Sequence, residues 1–74
     1  MVTIRIDNRG LLPPEPMLRI LEAIESIENG DRVVAVMDRE PLLLYPELER
    51  RGFAWTFEDG EDGSYLLTIQ RAGS

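Results

Sequence analysis

Two short stretches hold the residues equipped for chemistry. One is Arg9-Gly10-Leu11-Leu12-Pro13-Pro14-Glu15-Pro16. The other is Met37-Asp38-Arg39-Glu40-Pro41, running on into Leu42-Leu43-Leu44-Tyr45-Pro46. Between them they supply the carboxylates Glu15, Asp38 and Glu40 and the cations Arg9 and Arg39, with Asp7 just upstream. Grouped carboxylates can act as general acids and bases or hold Mg²⁺ or Ca²⁺. Here arginines stand among them and lower the local negative potential, and no EF-hand spacing is present. Mixed signs read as an ion-pair cluster locking two loops, worth little per pair, or as a site for a small polar ligand or a partner. A further acidic concentration, Asp59, Glu61 and Asp62, is interleaved with Gly60 and Gly63. That pattern reads as a flexible, polar hairpin tip rather than an ion cage.

Composition removes most other chemistry. The chain has 74 residues, no cysteine and no histidine, and its eight basic residues are all arginine. A thiol nucleophile, a Cys-ligated metal, a disulfide, a Ser-His-Asp triad and a Schiff-base lysine are therefore excluded. Ser26 falls in a helical pattern and Ser64 in a turn, neither with a base of useful pKa nearby. Fourteen acidic residues give a net charge of −6, which argues against nucleic acid and against an anionic membrane surface. No apolar run approaches the ~20 residues of a membrane-spanning helix. Charges interrupt the first residues too often for a signal peptide, so cytoplasm is the expected location.

Periodicity supplies the elements that must position the two stretches. Val2, Ile4 and Ile6 alternate with Thr3 and Arg5, predicting a half-buried strand over residues 2–6. Met17, Ile20, Leu21, Ile24 and Ile27 recur at three- and four-residue spacing, predicting a helix from about Pro14 to Glu28, with Gly30 past its end. Arg32 to Met37 is short, β-branched and nearly all apolar, as a central strand covered on both faces, or nearly so, would be. Pro46 disfavours helical geometry at Tyr45, so a second helix is expected from Tyr45 or Pro46 to Arg51-Gly52. Phe53–Glu58 and Tyr65–Arg71 flank the glycine-rich turn as an antiparallel hairpin. Phe53, Trp55 and Phe57 belong to its core face.

The predicted order is β-α-β-α-β-β in one domain over residues 1–74. A helix between the first two strands makes them parallel. The fold class is α+β: a two-layer α/β sandwich, with a four-stranded mixed sheet and two helices on one face. Parallel strands end at the same sheet edge. That topology brings Asp7, Arg9 and Glu15 toward Asp38, Arg39 and Glu40. The run Leu42-Leu43-Leu44 cannot all face one core, so one or two leucines are expected near the surface with Leu11 and Leu12.

Gly10 through Pro16, placed between a first strand and a first helix, resembles the TusA/SirA superfamily of sulfur carriers. Those proteins carry a Cys-Pro-x-Pro motif at this point. Pro14, Glu15 and Pro16 match its Pro-x-Pro part, and Pro13 stands where the cysteine would be. With Met37–Pro46 and Leu48–Phe53, the likeness extends over about Ile6 to Arg71. It is similar to a branch known only as a domain of unknown function. The resemblance implies the TusA-like fold, and in some members an association with hemerythrin-like or nitrogen-oxide-related redox proteins. Some relatives carry a histidine at the position of Arg39, so a metal or haem role does not carry over. Persulfide transfer does not carry over either, because Pro13 has no nucleophile.

The expected function is a non-catalytic binding or adaptor module with no cofactor and no metal. Its candidate binding residues are Arg9, Leu11, Leu12, Pro13, Glu15, Asp38, Arg39, Glu40 and Leu43. The expected partner is a protein, and the chain itself a monomer or weak homodimer. The alternative is a sulfur-relay component, or a carboxylate- or cofactor-dependent enzyme working at the Asp38–Glu40 loop.

Overall fold

A computed structural model describes residues 1–73. Its elements follow in the order β1 (Thr3–Asp7), α1 (Glu15–Ile24), β2 (Arg32–Met37), α2 (Leu44–Arg50), β3 (Phe53–Asp59) and β4 (Tyr65–Arg71). The strands form one mixed sheet ordered β1-β2-β4-β3. β1 and β2 are parallel, with Ile6 opposite Ala35, while β4 is antiparallel to both β2 and β3.

Alternation along each strand decides which face carries the helices. Ile6, Val33, Ala35, Met37, Leu67 and Ile69 are buried in one core with Ile20 and Ile24 of α1 and Leu44 and Leu48 of α2. Both helices therefore cover the same face, as the two-layer reading requires. The β2 side chains opposite, Val34 and Val36, are half-buried under no second layer. The reading of β2 as covered on both faces, or nearly so, is met fully on one face and in part on the other. Its apolar outward residues are shielded only by neighbouring strands, a situation common in sheets with antiparallel pairs.

Helix ends depart from the sequence reading in ways that have local causes. α1 closes at Ile24 rather than Glu28, because the amides of Glu25, Ser26 and Ile27 bond three residues back instead of four. Such tightening ends a helix. Ile27 stays in the core from the following turn. Gly30 is consequently not the residue after a helix end. It holds φ +91° in the tight turn before β2, where the Asp31 amide bonds the Glu28 carbonyl. α2 begins at Leu44, and Pro46 lies in its first turn, where a missing amide costs nothing. Leu44 is thus drawn into the core. β1 runs one residue later than the alternation suggests, over Thr3–Asp7, and β3 extends to Asp59.

Among the described residues no helix is long and apolar enough to cross a membrane.

Candidate functional site

β1 and β2 run in the same direction, so the β1–α1 and β2–α2 loops leave from one pole of the sheet. The β3–β4 hairpin turn reaches that pole as well, since Asp59 pairs with Tyr65 beside Met37. Three loops therefore meet there.

The first loop is held by a buried side chain. Asn8 is 2% exposed. Its amide nitrogen donates to the Pro16 carbonyl at 3.1 Å and approaches the Met37 sulfur at 3.5 Å, while its oxygen accepts from Arg19 at 3.3 Å. One residue thereby ties the end of β1 to the start of α1 and to β2. The loop then turns at Gly10, whose φ of +78° suits glycine, and passes through a cis Pro13–Pro14 peptide. Pro14 caps α1, Pro16 is in its first turn, and the Glu15 amide is bonded to the Leu12 carbonyl. These prolines and that bond leave few donors for an anion at this helix start.

Among the described residues one direct hydrogen bond links the β1–α1 and β2–α2 loops. The Asp38 carboxylate accepts from the Gly10 amide at 2.7 Å. This replaces the ion-pair network expected between the two stretches. Arg9 turns back to Asp7, with a 2.7 Å salt bridge between half-exposed groups. The guanidinium of Arg9 holds the Asp7 carboxyl down at about 2, and Asp7 in turn raises Arg9. Glu40 accepts from the Tyr45 hydroxyl at 2.9 Å. Burial first, and that bond second, push the Tyr45 phenol well above its ordinary value. Arg39 takes part in none of these ion pairs. Asp62, at the hairpin tip, lies within electrostatic reach of Arg9.

Between the first turns of α1 and α2 lies a cavity of about 320 Å³. Its walls include Leu11, Pro13, Met17, Met37, Leu42 and Leu43, with Asp38, Arg39 and Glu40 on one side. Three large apolar side chains at its mouth stand in solvent: Leu42 at 64% and Leu43 at 84% exposed, both of the wall, and Leu12 at 79%, just outside it. Of the residues singled out in the sequence, Leu11, Pro13, Asp38, Arg39, Glu40 and Leu43 line this cavity. Arg9, Leu12 and Glu15 lie outside its wall.

Met17, Met37 and Asn8 were not singled out. The two methionines read as ordinary core positions by periodicity, and Asn8 as a turn residue. The pairing order of the strands could have placed the hairpin tip at this pole. Asp59, Glu61 and Asp62 form no metal-binding group, and among the described residues no cluster of three ligand-type side chains does. The tip is instead closed by its own bonds, from the Gly60 amide to the Ser64 carbonyl and from Ser64 to the Glu61 carbonyl.

The chemistry available at this pole is recognition by an apolar surface with a charged edge. The pole carries no cysteine, histidine or lysine, and burial together with Glu40 raises the Tyr45 phenol above its ordinary value.

No match is found among the curated proteins. Among solved structures, a SirA-like protein from Desulfitobacterium hafniense is similar over 100% of both chains, at 28% identity and a TM-score of 0.75. The two share the SirA-like, TusA-like fold. A family described as "Uncharacterized conserved protein (DUF2249)" matches residues 5–71. With all but the first two residues of β1 inside the match, together with the helices, the other strands and the loop pole, this protein belongs to the DUF2249 family.

Proposed function

We propose that this domain is a non-catalytic binding or adaptor module that docks a protein partner at the pole of the β1–α1 and β2–α2 loops. The observation that carries the reading is an apolar cavity bordered by three leucines left in water. Exposed apolar patches of this kind mark interaction surfaces. The pole has concavity and apolar area without a reactive group, so binding is the activity it can perform. A redox or nitrogen-oxide-related partner, in the cytoplasm, is the assignment the family resemblance favours.

Affinity capture from native lysate tests this. The wild type should retain a partner that Leu12→Asp and Leu43→Asp each release, with both variants folded by circular dichroism. Capture unchanged in both variants would remove the pole from consideration.

The rival reading is a sulfur-relay component or an enzyme using the Asp38–Glu40 loop. Pro13 and the lack of cysteine weigh against the first. The commitment of Asp38 to Gly10 and Glu40 to Tyr45 weighs against the second. Incubation with a cysteine desulfurase and cysteine, followed by intact mass measurement, should give no added sulfur. Stoichiometric addition would restore the sulfur-relay reading.

A further inference from the structure

Cavity size and edge charge together narrow the class of partner. We infer that the occupant is a polypeptide segment that inserts one large apolar side chain between α1 and α2 and carries basic residues on its flanks. The inference rests on the docking reading above and adds the partner's chemistry to it.

The apolar surface left around the cavity favours a polypeptide over a small molecule. At about 320 Å³ the cavity sits at the bottom of the range of roughly 300–1,000 Å³ used by small-molecule sites. That space suits one aromatic or long aliphatic side chain. A molecule confined to it would leave Leu12, which lies outside the wall, and most of Leu43 in solvent. A chain segment laid across the mouth covers both while its anchor fills the hole. Anchors in central pockets, ringed by contacts that exclude water, dominate protein interfaces.

Charge sets the sign of the flanks. Asp38 and Glu40 stand on the cavity wall, and Glu15 opens α1 between the lining residues Pro14 and Pro16. The cations nearby are largely committed. Arg9 is paired with Asp7, and Arg19 donates to the Asp7 carbonyl and to Asn8. Arg39 alone remains to meet a carbonyl of the incoming backbone. The whole chain carries −6 and no lysine, so its long-range field also attracts a basic segment. An acidic segment would face these carboxylates with Arg39 to offset them in part.

A randomised peptide display library, selected on the wild-type protein and counter-selected on Leu12→Ser/Leu43→Ser, tests both parts. Both substitutions replace exposed side chains, so the double variant should fold. Expected is a consensus with one Leu, Phe or Trp anchor and an excess of Lys and Arg. The synthetic consensus peptide should bind about tenfold more tightly than its Glu-flanked counterpart and weaken as salt is raised. A wild-type-specific consensus with neutral or acidic flanks would overturn the charge assignment and leave the docking reading standing. A basic consensus without an apolar anchor would overturn the anchor. Absence of any wild-type-specific enrichment would overturn the docking reading along with the inference.

Discussion

At the scale of single residues, Asp7, Arg9, Asp38, Glu40 and Tyr45 of the loop pole are engaged in structure. Asp7 accepts from Arg9, which holds its carboxyl near 2 against an ordinary 3.8. A depressed carboxyl contributes stability above its unfolded value and loses it as pH falls toward its folded value. The difference in urea midpoint between wild type and Asp7→Asn should therefore be constant at neutral pH and vanish as pH drops from about 4 toward 2. Because the pair is half exposed, the difference should be small throughout. Tyr45 behaves in the opposite sense. Its phenol is raised by burial and by Glu40, so the native protein holds that proton through the range where exposed tyrosines ionise. Ultraviolet titration should show a delayed phenolate phase that Tyr45→Phe removes. A wild-type curve with no delayed phase would show that Tyr45 is open to solvent. Neither behaviour was legible in the sequence. Asp7 and Arg9 are neighbours in any conformation, whereas the Glu40–Tyr45 bond needs the turn at Pro41 to bring their side chains together.

At the scale of elements, the sequence was most legible where one face is buried. Ile20 and Ile24 of α1, Val33 and Ala35 of β2, and Leu67 and Ile69 of β4 are core residues because their spacing matches the period of the element. Helix ends were less legible, since they depend on local bonds. Nothing in the Glu25-Ser26-Ile27 sequence announces the tightened turn that ends α1. The leucine run was ambiguous for the same reason. Once Pro46 sits within the first turn, Leu44 faces inward, and Leu42 and Leu43 are left outside. The core that results is small, with no disulfide to supplement it. Leu48, on α2 where it packs against β3, is fully buried, and Leu48→Ala should cost about 2–5 kcal/mol. That is a large share of the stability of so small a domain, and chemical denaturation would measure it. Leu43→Ala, by contrast, should be nearly neutral for folding.

At the scale of the whole molecule, the parallel pairing of β1 with β2 was readable from the helix between them. The meeting of two loops at one pole followed from it. The cavity between those loops was not readable, because its depth depends on Asn8, Met17 and Met37, which carry no signal of their own. The same topology has an effect at the far end of the sheet. Thr3 pairs with Arg32, Arg32 with Gln70, and the Ala72 amide bonds the Gly52 carbonyl. Residues 3 and 71 thus sit together at the end of the sheet away from the loops. A tether at either terminus leaves the apolar pole facing outward. Fluorescent-protein fusions at each end should bind the selected peptide with the affinity of the unfused domain, and interference from either would contradict the placement. Such a head can be carried on a flexible linker and raise the local concentration of whatever it captures beside the protein to which it is joined.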